Sequence, residues 1–291
     1  MKKLRDYLEL IRFPNLFTAM ADITAGAWIA YGSGGDFSAA KLICLLFSSA
    51  FLYAMGIIMN DYADFELDQA ERPERPLPSG RITRQSALTL GVILGVWGIV
   101  LAALVNGVSA VLACAIALFV ILYDFCFKPH EILGPIAMGI CRGLNLLLGV
   151  SLVADSLHQV FWISLIGFVY ISTVTAMAKG EVGSGLHPRR ARAMVLAILI
   201  GAVLLLLIDG GHLFEKVLAV IGYLIWTIRA ILPSLREPNA ANIRRAVGGC
   251  LVGLPLLDAA IAASYGGGTA WLSVAVFMGI SLVFKRFFSM T

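Results

Sequence analysis

The sequence predicts an all-α fold, a polytopic bundle of membrane-spanning helices, from three observations. The hydrophobic residues AVILMFWYC make up 59% of the 291 residues, whereas charged residues make up only 14%. Soluble domains usually carry about 25% charged residues, and the mean hydropathy here is +0.89. Apolar runs long enough to cross a bilayer as helices recur along the chain. We therefore expect one transmembrane domain over residues 1–291, with the lipid bilayer as a partner and no nucleic acid.

The first predicted element is the N-terminal segment, residues 1–12. It has the basic start of a signal peptide, but it also contains Asp6 and Glu9. No small-residue cleavage site follows a short apolar core, as a signal peptide would require. The segment is therefore expected to be an amphipathic lead-in to the first span.

Apolar runs between polar breaks define the spans that follow. Nine runs are long enough to cross a bilayer, and a tenth, which ends before Lys285, is marginal for crossing. The prediction is a bundle of nine transmembrane helices with a tenth at the C-terminus. In chain order the ten segments are residues 13–31, 39–59, 85–105, 108–127, 133–153, 159–178, 193–209, 213–232, 245–264 and 269–286.

The connections between these segments alternate in length and charge. The connections on one side are short: 32–38, 106–107, 154–158, 210–212 and 265–268. Longer, charged loops lie on the other side: 60–84, 179–192 and 233–244. Binding and catalytic residues concentrate on loops that a rigid scaffold positions, so we expect the chemistry on the side of the long loops.

The basic residues predict the orientation of the bundle. With the N-terminus in the cytoplasm, 19 of the 22 Lys and Arg residues lie on the inner side. Lys41 and Lys216 fall on the outer side, and Arg142 lies within a span. Short cytoplasmic loops are enriched in Lys and Arg. We therefore expect an integral, multi-pass protein of the cell (inner) membrane with a cytoplasmic N-terminus.

The stretch NDYADFELDQAERPERPLPSG, residues 60–80, contains most of the chemistry-bearing groups. At about 100° per residue, four polar side chains form one helical stripe about 100° wide, with Glu66 on the opposite side. Carboxylates on one face raise one another's pKa values unless a cation lies among them. The members of the stripe are Asn60, Asp61, Asp64 and Asp68.

An oxygen-only set of carboxylates and an amide suits Mg²⁺ before Ca²⁺, and Mg²⁺ often completes its shell with substrate phosphate oxygens. The stripe therefore predicts a Mg²⁺ site and a phosphate or diphosphate substrate. A solvated helix end decorated with charge is the alternative. The proline-anchored basic loop that follows favours the metal site, because its arginines suit the same anion. These arginines are Arg72, Arg75 and Arg81, among the prolines Pro73, Pro76 and Pro78.

Two motifs in residues 60–82 resemble the first aspartate-rich motif and the adjoining loop of the UbiA superfamily of intramembrane prenyltransferases. They are N60-D-x-x-D64-x-x-x-D68 and E74-R-P-L-P-S-G-R-I82. Further matches are I11-R-F-P-N15, Tyr123 with Lys128, and R142-G-L-N145. The first motif with RPLPSG is highly specific, whereas the other matches are weak alone. The resemblance covers nearly the whole chain but does not include the tenth predicted helix.

The resemblance implies a helical bundle, usually of nine spans, around a central cavity that opens at the cytoplasmic side and sideways to lipid. It implies a Mg²⁺-dependent prenyltransferase that moves an isoprenoid group from a prenyl diphosphate to a small hydrophobic, commonly aromatic, acceptor. It also implies catalytic roles for Asp64 and Asp68, and we expect a catalytic role for Lys179 from the altered segment described next. The implied diphosphate contacts, besides the loop arginines, are Lys128, Arg142, Asn145 and Asn15. The implied metal ligands are Asn60, Asp61, Asp64 and Asp68, and we expect Glu181 as a further ligand because it is the only carboxylate of the altered second motif.

The chain departs from the family at the second motif, D-x-x-x-D, where it reads T175-A-M-A-K179-G-E181-V-G-S-G185. In one account Glu181 forms a reduced metal site, and Lys179 replaces one Mg²⁺ against the diphosphate. In the other, the protein binds an isoprenoid lipid or diphosphate without ordinary transfer. We favour the first, because a cation stands where an anion must bind. The K-G-E-V sequence resembles the EboC-like branch of the superfamily.

Two rival classes of membrane protein fit less well. The residues after Asp64, Phe65 and Glu66, do not match the motif of phosphatidyl-transferring enzymes. A transporter is disfavoured because the chain shows no repeated half with broken helices.

Several ionisable groups lie within predicted spans and are candidates for function by default. Arg142 and Asn145, three residues apart, share a helix face. Asp22 and Asp258 are the intramembrane acids. Of the two, Asp22 is the candidate for the acceptor side of the cavity, with a buried hydrogen bond to a neighbouring helix as its alternative role. The five cysteines and four histidines show no metal-ligand spacing.

Overall fold

The computed structural model describes residues 2–32, 34, 36, 38–179 and 188–287. The described residues are mostly helical and contain no strand, so the predicted all-α class is confirmed. The helices are α1 Lys2–Leu10, α2 Phe13–Gly32, α3 Ala39–Ala63, α4 Phe65–Glu71, α5 Arg84–Ala103, α6 Gly107–Leu122, α7 Leu133–Val150, α8 Leu157–Val160, α9 Ser164–Ala178, α10 Pro188–Leu207, α11 Leu213–Arg236, α12 Ala240–Val252 and α13 Leu254–Phe284. A π-helical turn over Tyr123–Phe127 follows α6, and short 3₁₀ turns over Ser151–Ser156 and Phe161–Ile163 flank α8.

Each of the ten predicted segments lies largely within helix. The ninth segment is divided between α12 and the first half of α13, because α12 ends at Val252 and α13 begins at Leu254, on either side of Gly253. The predicted connection at 265–268 is a kink inside α13, where Gly266 and Gly267 leave helical geometry. Gly267 has φ 58°, a left-handed conformation that glycine adopts at little cost. The lead-in prediction also fits, since α1 ends shortly before α2 begins.

Six helical segments of the described chain are long and apolar enough to cross a membrane. Two of them, Leu133–Ala178 and Ala240–Phe284, contain more than one helix. The predicted number of nine or ten crossings therefore stays a prediction. The other four segments are Ala39–Ala63, Arg84–Ala103, Gly107–Phe127 and Leu213–Arg236, and Arg192–Leu207 is a shorter apolar helix.

The starts of several helices are fixed by side-chain caps. A side-chain oxygen accepts a hydrogen bond from a backbone N–H in the first turn, which otherwise lacks a partner. The caps are Ser38 for α3, Thr83 for α5, Asn106 for α6 and Asn239 for α12.

Helix α2 runs through the middle of the bundle, packed against α3, α7 and α13. Its crossing with α7 is close because glycines face each other. A Cβ on Gly26 would lie 2.5 Å from the carbonyl oxygen of Leu146, and one on Gly149 would lie 2.6 Å from that of Ile23. Both distances are shorter than van der Waals contact, so any larger residue would force the helices apart. This close packing brings polar groups from four helices together in the bundle interior.

Candidate functional site

The predicted acidic stripe lies at the junction between α3 and α4. The stripe was predicted on one continuous helix, and this detail is wrong. Helix α3 ends at Ala63, Asp64 has φ −86° and ψ 8°, and α4 begins at Phe65. Asp61 and Asp68 are nevertheless both buried, and they come together because a basic group lies between them.

The basic group is Arg75, from the loop after α4. Its Nη1 lies 2.7 Å from Asp68 Oδ2 and 3.3 Å from Asp61 Oδ1. Arg12, at the junction of α1 and α2, donates to the same Asp61 oxygen at 2.8 Å. Arg12 has φ 46°, a left-handed conformation that is uncommon for a non-glycine residue. Two arginines from different parts of the chain thus converge on Asp61.

The proline-anchored loop folds around Arg75. Leu77 and Ile82 are buried in a small apolar core with Leu10 and Ile58. Ser79 Oγ donates to the backbone carbonyl of Arg75 at 2.6 Å. The loop is therefore packed onto the bundle, which holds the Arg75 guanidinium between the two carboxylates.

The third carboxylate of the stripe, Asp64, pairs with Lys128. Lys128 follows the π-helical turn Tyr123–Phe127, a rare geometry that often occurs at functional sites. Within this turn, the buried Asp124 accepts a hydrogen bond of 2.9 Å from Asn60 Nδ2. We call Asp61, Asp64, Asp68 and Asp124, with Arg12, Arg75 and Lys128, the acidic cluster.

Asp124 is the carboxylate of the acidic cluster that the sequence prediction did not single out. It lies outside the aspartate-rich stretch, on the helix after the next. Two signals could have found it: it is an acid at the inner end of a span, and it precedes Lys128 by four residues, the spacing of helical neighbours.

Arg72 and Arg81, both predicted to bind diphosphate, differ in their surroundings. Arg81 Nη1 lies 2.7 Å from Asp6 and 2.9 Å from Glu9, so it ties the loop to α1. These bonds, above all those to Glu9, raise the pKa of Arg81. Arg72, at the end of α4, is half-buried and its side chain pairs with no group in the described ranges. Of the two, Arg72 is the better placed to receive an anion.

The altered second motif begins at Lys179, just after α9. Its Nζ donates to the backbone carbonyls of Lys128, Pro129 and His130. Lys179 is therefore connected to the acidic cluster indirectly, through hydrogen bonds to the backbone of the turn that contains Lys128. Glu181, the predicted metal ligand of this motif, and Gly183 and Gly185 lie outside the described residues.

Arg142 and Asn145, predicted to bind diphosphate, belong to a second group of polar residues deeper in the bundle. Arg142 Nη2 lies 2.7 Å from Asp22 Oδ1 and 2.6 Å from Asp258 Oδ2. Asn145 Nδ2 donates to Asp22 Oδ2 at 2.7 Å, and Ser49 Oγ donates to Asn145 Oδ1 at 2.7 Å. We call these five residues the deep cluster.

The deep cluster is separate from the acidic cluster along α2. Asp22 follows Arg12 by ten residues, about 15 Å at the rise of an α-helix. The structure thus places Arg142 and Asn145 with Asp22 and Asp258, and their diphosphate role stays a prediction. Asn15, also predicted to bind diphosphate, is buried near the start of α2, one turn beyond Arg12.

The donor atoms of the acidic cluster suit a hard divalent cation. Arg75 Nη1 contacts both Asp61 and Asp68, so these two carboxylates can share one positive charge. Carboxylate and amide oxygens are the ligands that Mg²⁺ prefers, and Asn60 supplies an amide beside them. In the part of the chain that the structure describes, no three His, Cys, Asp or Glu side chains form a metal-binding group by themselves. Further ligands would have to come from substrate, water or the second motif.

Curated relatives match about half of this chain. The digeranylgeranylglyceryl phosphate synthase of Methanocaldococcus jannaschii is 35% identical over 151 residues, which cover 51% of this chain and 52% of that protein. The synthase of the same name from Methanosarcina barkeri is 33% identical over 158 residues, which cover 50% and 54%. The chain thus spans about half the length of these relatives.

Solved structures match the fold over most of the chain. A digeranylgeranylglyceryl phosphate synthase superimposes with a TM-score of 0.62 at 24% identity, covering 91% of this chain and 99% of that one. A UbiA homolog from Archaeoglobus fulgidus bound to DMAPP and Mg²⁺ superimposes with a TM-score of 0.67 at 16% identity, covering 93% and 99%. The shared fold extends into α10–α13.

The profile of the UbiA prenyltransferase family matches residues 19–183, more than half of the chain. This match includes the aspartate-rich motif, the RPLPSG loop, Lys128 and Lys179. It confirms the resemblance to the superfamily, whereas the EboC-like branch stays a prediction. The chain belongs to the UbiA prenyltransferase family.

Proposed function

We propose that this chain is a Mg²⁺-dependent integral membrane prenyltransferase, which moves an isoprenoid group from a prenyl diphosphate to an acceptor. The observation that carries the proposal is the pair Asp61 and Asp68, buried within the family fold and already sharing one cation. Lys128, which pairs with Asp64, and Arg72, at the end of α4, supply further positive charge. Such a combination suits a diphosphate bound together with a metal ion.

Different side chains would bind the metal ion and the diphosphate group of the prenyl donor. Asp61, Asp64, Asp68 and Asn60 would hold Mg²⁺, which when bound offsets the negative charge of the leaving diphosphate. Arg75 and Lys128 bind phosphate oxygens once the diphosphate competes for their pairing with the carboxylates. A guanidinium forms paired hydrogen bonds to phosphate, whereas an ammonium acts as a point charge.

The reaction that this arrangement supports breaks the bond between C1 of the isoprenoid and the diphosphate oxygen. The bonding electron pair leaves with the diphosphate, where cationic side chains stabilise the developing charge. The allylic cation that remains takes an electron pair from the acceptor, and the acceptor then loses a proton. The apolar interior of the bundle protects the cation from water.

The curated relatives favour one acceptor class over the aromatic ring that the family resemblance implied. Their name describes a glyceryl phosphate with two geranylgeranyl groups. We therefore propose as acceptor the hydroxyl of a glyceryl phosphate lipid, with a geranylgeranyl diphosphate donor. An aromatic acceptor is the second candidate. Binding without transfer is disfavoured, because these relatives are synthases.

The proposal includes the membrane topology. The chain is one domain with its N-terminus in the cytoplasm and its cavity open to the cytoplasmic side, in the cell membrane. The concentration of Lys and Arg on one side of the predicted spans supports this orientation.

The test is diphosphate release by purified protein in lipid nanodiscs given labelled geranylgeranyl diphosphate. Release should require Mg²⁺, stop on chelation and fall by at least about a hundredfold in Asp68→Asn, as for removal of a transition-state electrostatic group. Glu66→Gln, an exposed acid two residues away, is the matched control and should keep the wild-type rate. Equal rates for Asp68→Asn and Glu66→Gln would refute the assignment. The mass of the product would identify the acceptor among candidates added singly.

A further inference from the structure

We propose that Lys179 is a positioning residue, which holds the turn that presents Lys128 to the diphosphate. This inference rests on the proposed function only in giving Lys128 an anion to bind. It replaces the expectation that Lys179 contacts the diphosphate itself.

The hydrogen bonds of Lys179 account for its whole ammonium group. Its Nζ lies 3.1 Å from the carbonyl oxygen of Lys128, 3.4 Å from that of Pro129 and 2.7 Å from that of His130. An ammonium has three N–H donors. All three are directed at backbone oxygens, so none is left for a phosphate in this arrangement.

The carbonyls that Lys179 binds follow the end of a helix. Helix α6 continues through the π-helical turn to Phe127, so the carbonyls of Lys128, Pro129 and His130 lie just beyond its C-terminus. A positive charge at a helix C-terminus is favourable, because the helix dipole concentrates negative charge there. Lys179, at the end of α9, supplies that charge from another helix. It therefore fixes α6 and α9 relative to each other.

The turn is held from two other directions. At its start, Asn60 donates a hydrogen bond to Asp124. At its end, Gly134 of α7 lies so close that an added Cβ would be 3.0 Å from the Phe127 carbonyl oxygen and 3.4 Å from that of Lys128. A residue held on three sides has little freedom. Lys128 is thereby fixed against Asp64, its partner in the acidic cluster.

This arrangement explains how a lysine can occupy the second-motif position. A carboxylate there would face the carbonyls of Lys128, Pro129 and His130 and be repelled by them. The ammonium instead binds these carbonyls and stabilises the position of a second cation, Lys128. At this position the family motif has an acid that binds metal, whereas this chain has Lys179, which binds the backbone of the turn that presents Lys128.

The first readout is the reactivity of Lys128 towards an amine-acylating reagent, measured by mass spectrometry on the full-length protein in nanodiscs. In Lys179→Met, Lys128 should react about threefold to tenfold faster, a change that corresponds to the net contribution of about one intramolecular hydrogen bond. Lys179→Arg retains donors and should stay near wild type. Lys285→Met, which removes an exposed lysine at the end of α13, is the matched control. Unchanged Lys128 reactivity in Lys179→Met would overturn the proposal.

The second readout is the affinity for inorganic diphosphate with Mg²⁺, measured by calorimetry on Lys179→Met, Lys128→Met and the double variant. If Lys179 acts through Lys128, the double variant should bind no more weakly than Lys128→Met. If Lys179 contacts the anion directly, the two losses should multiply, and the proposal fails. A wild type that binds no diphosphate would count against the proposed function alone, because the acylation readout needs neither diphosphate nor prenyl transfer.

A further variant covers the case in which Lys179→Met does not fold. Gly134→Ala disturbs the same turn from α7 and leaves Lys179 in place. It should also raise Lys128 reactivity, by an amount comparable to Lys179→Met. Gly248→Ala, at a helical glycine with open space around it, is its control. Equal reactivity in Gly134→Ala and Gly248→Ala would contradict the inference that packing of this turn positions Lys128.

Discussion

At the scale of single residues, Arg75 is the side chain on which the acidic cluster depends. Only 10% of its side chain is exposed, and its two carboxylate partners are more buried still. A buried charge without a partner is costly, so Arg75, Asp61 and Asp68 each lower the free-energy cost of burying the others. The same arrangement makes Arg75 a competitor for the proposed metal, because both need Asp61 and Asp68.

Substitution of Arg75 should separate these two roles. In Arg75→Met without divalent ions, Asp61 and Asp68 lose their shared cation, and the free energy of unfolding should fall by about 3–5 kcal/mol. Added Mg²⁺ should restore much of that loss and raise the melting temperature more than in wild type. Melting curves with and without Mg²⁺ measure both effects. Arg5→Met, on the exposed part of α1, should show neither effect, and a variant insensitive to Mg²⁺ would contradict the metal site.

At the scale of helices, the deep cluster joins four elements. Arg142 and Asn145 come from α7, Asp22 from α2, Asp258 from α13 and Ser49 from α3. Within a membrane such polar groups are expensive unless they satisfy one another. Their convergence in the interior, next to the close α2–α7 crossing, therefore fixes how these helices pack.

The deep cluster should behave as a unit in mutants. Arg142→Met leaves two buried carboxylates facing each other and should cost about 3–5 kcal/mol of unfolding free energy. The triple variant Asp22→Asn, Asp258→Asn and Arg142→Met removes all three charges and should recover most of that loss. Denaturation in detergent measures the difference. Arg236→Met, at the exposed end of α11, serves as control. Additive losses in the triple variant would show that the three residues do not interact.

At the scale of the whole molecule, the acidic cluster gathers groups from distant parts of the sequence at one end of the bundle. Arg12, Asp61, Arg75 and Lys128 all contribute, and Lys179 joins them through the backbone of 128–130. The predicted orientation places this end in the cytoplasm. A water-soluble diphosphate can reach it from there, whereas the isoprenoid chain needs the apolar interior.

Labelling of single cysteines would test this orientation. In a variant without the five native cysteines, Glu74→Cys in the RPLPSG loop should react with a membrane-impermeant maleimide only in inverted vesicles. His212→Cys, in a predicted outer connection, should react only in intact cells. The opposite pattern would place the acidic cluster outside. The pair controls for reagent access, because both residues lie in connections between helices.

The local features of the site could be predicted from the sequence. Composition and long apolar runs determine a helical membrane fold, because a backbone in lipid must satisfy its own hydrogen bonds. The carboxylates of residues 60–68 and the arginines of the adjacent loop are close in sequence, so a helical repeat and a proline-rich turn suffice to bring them together. The helix break at Asp64 escaped prediction, because the local sequence contains no glycine or proline there.

Long-range partners required the tertiary structure. Nothing within α7 indicates that Arg142 pairs with Asp22 and Asp258, 120 and 116 residues away in the chain, and the family resemblance implied a diphosphate contact instead. Likewise the sequence showed that Lys179 replaces an acid, but only helix packing brings its ammonium to the carbonyls of Lys128, Pro129 and His130. The sequence by itself determined the chemistry of the groups, since charge and donor type belong to each residue. The fold decided which groups meet, because in a low-dielectric interior every buried charge must find a partner that only packing can supply.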